Sequence, residues 1–246
     1  MNTGNNIVGI YLGDGPTEYW DETTVNGGSE NWALEISYQF AKNGFNVFLF
    51  GLFKNEHTFN GVNFIPYEKY KNICVVAEFD YFICSRRVDC IIQELKAKHI
   101  YLMLHECGIY GVQKGGKIPN FDRIEKVFVL SEFHKKWLMK AFNVPEYKIY
   151  KTFNGIDQTL YENVEFEDKK NLMIWSSVQK RGLKFFIDRV YPKIKEEVPD
   201  FKVKVCSYTE CENVYNGGIE GIDVIGRQTH EKLFFTKNQI EQQKLM

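Results

Sequence analysis

Residues 127–142 of the chain, VFVLSEFHKKWLMKAF, contain the most informative pattern in the sequence. Residues 127–130 are continuously apolar, which is typical of a strand that is buried on both faces of a parallel sheet. Ser131 follows at the position of a helix N-cap, and Glu132–Phe142 has the apolar spacing of an amphipathic helix. A buried strand that leads through a cap into a helix is the repeating unit of α/β folds.

The same alternation of strand and helix extends back to the start of the chain. Continuous apolar runs predict further strands at residues 7–12, 46–50 and 101–104. Helical spacing predicts helices at residues 30–42, with Ser29 as N-cap, and at residues 88–96. The predicted fold class is therefore α/β, with a doubly wound, Rossmann-like sheet.

A polar and acidic stretch at residues 154–170 separates this pattern from a second one. The second pattern predicts strands at Leu172–Trp175, 202–206 and 222–225, and a helix at 182–198 with a break at Pro192. We therefore predict an N-terminal Rossmann-like domain at residues 1–155, a connector at 156–170 and a partial C-terminal Rossmann-like domain at 171–246. Such a partial sheet has an exposed edge, which predicts self-association or a partner chain that completes the domain.

Composition and charge exclude several classes of protein. With 44% hydrophobic residues and a formal net charge of -1, the chain is expected to be globular and to lack an electrostatic footprint for nucleic acid. We expect no transmembrane segment, because no apolar run approaches the roughly 18 residues needed, and a cytoplasmic location, because the first residues lack a signal pattern. The cysteines, which we expect to be free buried thiols, are at positions 74, 84, 90, 107, 206 and 211.

Two loops are candidates for binding phosphate. Gly27 and Gly28 open the first long helix, where free backbone amides attract anions; the alternative is a flexible loop with a simple cap. The second candidate joins strand Leu172–Trp175 to the following helix, and here two cations could bind a diphosphate or merely solvate a turn. The candidate residues of this second loop are Ser177, Lys180, Arg181 and Gly182.

His105 is the candidate catalytic residue, because it follows a predicted strand and ligands of open α/β sheets bind at the carboxyl ends of the strands. An isolated histidine is more often structural, and we expect the other four histidines to be surface or capping residues. No cluster of residues has the spacing of a metal site, so we expect no metal and no cofactor. A dehydrogenase is disfavoured, because no Gly-x-Gly-x-x-Gly follows the first strand.

Four segments together resemble the retaining, GT-B-fold glycosyltransferases of family 4, often called glycosyltransferase group 1. They are Gly27-Gly28-Ser29-Glu30, Val129-Leu130-Ser131-Glu132-Phe133-His134, Asn154-Gly155-Ile156-Asp157 and the loop from Ser176-Ser177 to Arg181-Gly182-Leu183. The third segment is the most specific and resembles the family's signature before the domain crossover. The fourth is similar to a branch in which Arg181 takes the position of the usual lysine and Ser176 that of the usual arginine.

The resemblance implies transfer of a sugar from a nucleoside-diphosphate sugar, GDP-mannose or a UDP-sugar, to a glycan or another acceptor. It implies retention of anomeric configuration without metal, with the first domain on the acceptor side and the second holding the donor. His105 matches the histidine that contacts the donor sugar near the reacting carbon. Arg181 and Lys180, with the Gly28 amides, would hold the diphosphate.

The resemblance covers residues 6–233 and has no counterpart of the family's Glu-x7-Glu region. In the family those carboxylates hold the donor sugar and ribose. An alternative reading is therefore a shortened, catalytically inactive homologue or a partner subunit.

Overall fold

The computed structural model describes residues 6–15, 19–22, 27–155, 171–206 and 218–225. The chain divides into two compact units, and the main boundary between them falls after Ile156. The predicted connector, residues 156–170, and most of the C-terminal tail lie outside the described residues. The predicted domain limits and the predicted incompleteness of the second domain therefore stay predictions.

The first unit contains a sheet in which eight strands are described. These strands are β1 (Ile7–Tyr11), β2 (Asn46–Gly51), β3 (His57–Phe59), β4 (Val62–Pro66), β5 (Phe79–Ser85), β6 (Ala97–Met103), β7 (Lys126–Val129) and β8 (Ile149–Lys151). Their order is β3-β4-β2-β1-β5-β6-β7-β8, and β3 alone among them pairs antiparallel. The helices are α1 (Gly28–Lys42), α2 (Tyr70–Val76) and α3 (Glu132–Phe142).

Helices cover both faces of this sheet. Val8 and Ile10 of β1 belong to one apolar cluster, which also contains Ala33 of α1. Tyr11, the next residue along β1, belongs to a second cluster with Leu138 of α3. Because successive side chains of a strand point to opposite faces, these two clusters are the two faces of a doubly wound layer.

The helix predicted at residues 88–96 is wrong. Two successive turns take its place, with Ile91 N–H bonded to the Val88 carbonyl and Leu95 N–H to the Ile92 carbonyl. The Arg123 guanidinium binds the carbonyls of Ile92 and Leu95 at 2.6 and 2.5 Å. A side chain from thirty residues further along therefore satisfies backbone groups that a helix would have satisfied itself.

The starts of α1 and α3 differ in how well the sequence predicts them. Ser131 caps α3 as expected, since its hydroxyl accepts a hydrogen bond from the His134 N–H at 3.1 Å. In α1 the N-cap is Gly27, and Ser29 lies buried inside the first turn, so the prediction of Ser29 as N-cap is wrong. A buried hydroxyl within the helix cannot reach the free amides in front of it.

The second unit has a smaller parallel sheet, described as β9 (Leu172–Trp175), β10 (Lys202–Val205) and β11 (Ile222–Val224) in the order β11-β10-β9. Its helical segment consists of α4 (Leu183–Phe185), a π-helical stretch, Phe186–Val190, and α5 (Tyr191–Glu197). Pro192 lies in the first turn of α5, where its missing N–H is tolerated. The helical segment is predicted to break at Pro192, and its irregular part is the π-helical stretch that ends two residues earlier, at Val190. Across the described part of both units, no helix is long and apolar enough to cross a membrane.

Among the described cysteines, Cys74, Cys84, Cys90 and Cys107 are free thiols. Cys74, Cys84, Cys90 and Cys206 are buried, as the sequence predicts, whereas Cys107 is partly exposed. Cys211 lies outside the described residues.

Candidate functional site

The candidate site of the first unit lies at the carboxyl edge of its sheet. The loops after parallel strands meet at this edge, and α1 begins there as well. The described residues that form it are Gly27, Gly28, Glu30 and Trp32 from the start of α1, Arg86 after β5, His105 after β6 and His134 at the start of α3.

Gly27 and Gly28 have different roles at the start of α1. Gly28 is exposed, and a Cβ added to it would meet no atom within 4 Å. A Cβ added to Gly27 would lie 2.5 Å from Oε2 of Glu30. The Glu30 carboxylate thus occupies the space beside Gly27. Gly28 is the position at which a ligand can approach the free amides of the first turn.

Glu30 and Arg86 form an ion pair that the sequence analysis missed. Oε1 of Glu30, which is 4% exposed, lies 2.5 Å from Nη2 of Arg86. Arg86 has a left-handed backbone with φ of 65°, fixed by hydrogen bonds from its N–H to the Met103 carbonyl and from the Tyr110 N–H to its own carbonyl. The pair ties the start of α1 to the loop after β5 and offsets a carboxylate that would otherwise repel an anion.

The two glycines provide a test of this arrangement. We expect Gly27→Ala to lower the free energy of unfolding by about 1–2 kcal/mol, because the new methyl group displaces the Glu30 carboxylate from Arg86. Gly28→Ala is the matched control and should be neutral or stabilise by up to about 1 kcal/mol, since alanine favours helix and the space is open. Urea denaturation of both variants measures the difference; equal effects would show that the Glu30 contact is unimportant.

His105 lies two residues beyond the end of β6 at the same edge. Its ring packs edge-on against Trp32 with 5.0 Å between the ring centroids. Burial lowers the pKa of His105 from 6.5 to about 4, and the positive charge of Arg86 and the neighbouring His134 add to this effect. His105 is therefore a neutral imidazole at pH 7, and its buried Nε2 has no hydrogen-bond partner among the described residues.

His134 corrects one expectation from the sequence. It is expected to be a surface or capping residue: it is 5% exposed and so not at the surface, while its backbone N–H takes part in the Ser131 cap. Burial lowers its pKa, while a hydrogen bond with the backbone of Glu106 acts in the opposite direction. Two imidazoles of lowered pKa thus flank this edge, and they are suited to hydrogen bonding with neutral groups rather than to neutralising phosphate.

The protonation of His105 can be measured directly. Because its folded-state pKa is lower than its unfolded value, the neutral ring stabilises the fold fully above about pH 6.5, and this contribution is lost as the pH falls through about 4. We expect the ring signals of His105 in an NMR titration to change with a midpoint near pH 4. A midpoint at or above pH 6 would contradict the burial and charge described here.

A charge variant separates the causes of this shift. Arg86→Gln should raise the His105 midpoint without restoring it to 6.5, because burial is the larger cause. Lys42→Gln is the matched control: it also removes one positive charge, but from the last turn of α1, at the opposite end of the helix. Lys42 lies roughly 18 Å along the helix axis from Glu30, which is the partner of Arg86. The control should therefore leave the His105 midpoint unchanged.

The second unit contains the other predicted phosphate loop, between β9 and α4. Lys180 and Arg181 are exposed in a 3-10 turn, Gln179–Arg181, and neither has an ion-pair partner among the residues described. Gly182 has φ of 103° with open space around it, so the turn itself requires glycine there. The helix begins at Leu183, one residue later than predicted, and Leu183 is buried in the core.

The remaining predicted residues are only partly described. Ser177 is half-buried at the start of the same turn, and Asn154 and Gly155 are exposed after β8. The last two residues of the Asn154–Asp157 motif, Ile156 and Asp157, lie outside the described residues. Roles for these residues therefore stay predictions.

No protein-family model matches the chain, and no curated protein matches it. Solved structures do. A glycosyltransferase from Rickettsia africae ESF-5 has a TM-score of 0.59 at 14% identity, with 92% of this chain and 69% of that chain covered. Sucrose-phosphate synthase from Thermosynechococcus elongatus has a TM-score of 0.64 at 11% identity, with 94% and 73% covered. The wall teichoic acid polymerase TagF has a TM-score of 0.51 at 13% identity, and the chain spans 59% of it.

At these identities the similarity concerns the fold alone. The large, mainly parallel sheet and these neighbours confirm the predicted α/β fold, which is GT-B-like with Rossmann-like architecture. The solved structures that share this fold include a glycosyltransferase and a sucrose-phosphate synthase.

Proposed function

We propose that the protein is a nucleotide-sugar-dependent glycosyltransferase, which transfers a sugar to a glycan or another acceptor. The main support is His105, a neutral imidazole at the carboxyl edge of a GT-B-like sheet, whose Nε2 has no hydrogen-bond partner in the part of the chain that the structure describes. A neutral imidazole can donate or accept a hydrogen bond with a sugar hydroxyl but does not attract phosphate. In this proposal His105 contacts the donor sugar beside the reacting carbon.

The diphosphate of the donor is assigned to the cations of the loop between β9 and α4. Arg181 and Lys180 have no ion-pair partners within the described ranges and are available to bind phosphate oxygens. Stabilising the charge of the leaving diphosphate in this way requires no metal, and a metal-independent reaction with retention is the mechanism that the sequence resemblance implies.

A binding screen tests the proposal. Calorimetric titration of GDP-mannose, UDP-glucose and an ADP-sugar should give saturable binding of at least one donor, while NAD should not bind. Addition of EDTA should leave the affinity unchanged, because no metal bridges the phosphates. Absence of binding by every nucleotide sugar, or binding that EDTA abolishes, would contradict the proposal.

Turnover distinguishes the enzyme from an inactive homologue. The bound donor should be hydrolysed or transferred slowly, and His105→Asn should reduce the rate while leaving donor affinity nearly unchanged. His99→Asn is the matched control, because His99 is on β6 but its side chain is 44% exposed, with Nδ1 2.6 Å from Oε2 of Glu125. Donor binding without any turnover would favour the inactive homologue or partner subunit.

A further inference from the structure

A cavity among the described residues of the first unit lies between the segment before α1 and the loop after β2, and His105 does not line it. It is an open groove of about 340 Å³. The residues that line it are Tyr19, Trp20, Asp21, Glu22, Lys54, Asn55 and His57. Its volume is at the lower end of the range for small-molecule sites.

The floor of the groove is aromatic and rigid. Trp20 is 3% exposed and packs on Phe53 with 4.7 Å between the ring centroids. Its backbone N–H is bonded to the Leu52 carbonyl at 3.2 Å, which fixes it to the end of β2. The indole N–H has no acceptor among the described residues, so this floor has an unsatisfied donor.

One wall is a preorganised polar pair. Nε2 of His57 lies 2.9 Å from Oε2 of Glu22, and Nδ1 lies 3.3 Å from the Asn55 carbonyl. The imidazole also stacks on Phe64, with centroids 4.5 Å apart and an angle of 12° between the planes. These three contacts hold His57, and with it Oε2 of Glu22, in position, while the second oxygen of that carboxylate has no hydrogen-bond partner among the described residues.

The chemistry of the lining favours a polyhydroxylated ligand. Tyr19 is 60% exposed and presents a ring on which the C–H face of a sugar can stack. The Glu22 carboxylate, the Asn55 amide and the Lys54 ammonium group line the same groove, and neighbouring hydroxyls of a sugar both donate to and accept from such groups. The Glu22 carboxylate in the wall disfavours an anionic ligand such as phosphate.

We propose that this groove binds a neutral saccharide, with Tyr19 as the stacking platform and Glu22 as the hydroxyl acceptor. That the saccharide is part of the acceptor glycan rests on the function proposed above. Binding itself does not, because the groove contains none of the residues assigned to the donor.

The test uses the full chain and three defined probes: methyl α-mannoside, methyl α-glucoside and maltose. Saturation-transfer NMR and chemical-shift titration up to about 10 mM should detect binding of at least one probe, since one sugar subsite commonly binds at millimolar concentration. The indole N–H signal of Trp20 should shift with the same saturation curve. If no probe binds, the proposal is wrong.

Variants locate the site. Tyr19→Ala should weaken saccharide binding roughly 2- to 10-fold, and Glu22→Gln roughly 3- to 30-fold, because a neutral amide replaces a charged acceptor. Tyr147→Ala is the matched control, as Tyr147 is 73% exposed and lies outside the groove, and it should bind as tightly as the unmodified protein. Tyr19→Ala removes an exposed ring, so it tests the proposal even if Glu22→Gln fails to fold.

Donor titration keeps the two proposals distinguishable. Nucleotide-sugar affinity should be unchanged in Tyr19→Ala. Saccharide binding without donor binding would support the proposed saccharide site and overturn the glycosyltransferase proposal. Donor binding without saccharide binding would overturn the proposed saccharide site. Equal losses of saccharide affinity in Tyr19→Ala and Tyr147→Ala would overturn it as well.

Discussion

Gly13→Ala should lower the free energy of unfolding of the first unit by about 3–5 kcal/mol. Two separate costs add up at this position. Gly13 has φ of 73°, a conformation that costs an L-residue roughly 1–2 kcal/mol. The added Cβ would also lie 2.1 Å from Nη1 and 2.5 Å from Cζ of Arg87.

Arg87 cannot move away cheaply. It is 9% exposed, and its guanidinium binds Asp14 through Nη1 and Asp89 through Nε at 2.7 Å. The cation also lies 4.7 Å from the ring centroid of Tyr110. Displacing it breaks charge-assisted hydrogen bonds around a group that is largely desolvated, and this accounts for the second and larger cost.

Gly111→Ala separates the two costs. Gly111 has φ of 77°, nearly the same as Gly13, but a Cβ there meets no atom within 4 Å. It should therefore lose only about 1–2 kcal/mol, the backbone cost. Urea denaturation monitored by circular dichroism measures both variants. If Gly13→Ala loses no more than Gly111→Ala, Arg87 adjusts freely and the loop is not braced as described.

Local patterns of the sequence were sufficient wherever one segment carries all the information. The helix Glu132–Phe142 and the strand Leu172–Trp175 have the predicted limits, because apolar spacing and a serine cap act within a few residues. Strand β5 was missed, because Asp80 interrupts its apolar run. In the structure that carboxylate accepts from the Ile7 N–H at 2.8 Å and pairs with Lys98, so the charge lies at the amino edge of the sheet.

The candidate site was predictable in position but not in its chemistry. The end of a predicted strand places His105 at the carboxyl edge, as proposed. Its neutral state depends on burial and on Arg86, which follows the missed strand. The Glu30–Arg86 pair joins residues 56 positions apart, and no local pattern encodes a contact of that kind.

Arg181→Ala should weaken binding of nucleoside diphosphates roughly 10- to 150-fold. A guanidinium that binds phosphate contributes charge-assisted hydrogen bonds of roughly 1.5–3 kcal/mol, which gives this range. The fold should survive, because the Arg181 side chain is exposed and the turn is held by its backbone N–H bonded to the Val178 carbonyl at 3.1 Å. Calorimetry with GDP and UDP measures the loss.

Two controls make this result specific for phosphate. Arg189→Ala removes the same type of side chain from the π-helical stretch, where Arg189 is also exposed, and should leave the affinity unchanged. The matching nucleosides, guanosine and uridine, lack phosphate and should lose little affinity in Arg181→Ala. If the two arginine variants weaken diphosphate binding equally, the effect comes from net charge alone, since long-range attraction does not depend on which exposed cation is removed. If the nucleosides lose as much affinity as the diphosphates, Arg181 does not contact phosphate. The exposed cations of this turn are then solvated surface residues without a role in binding the diphosphate.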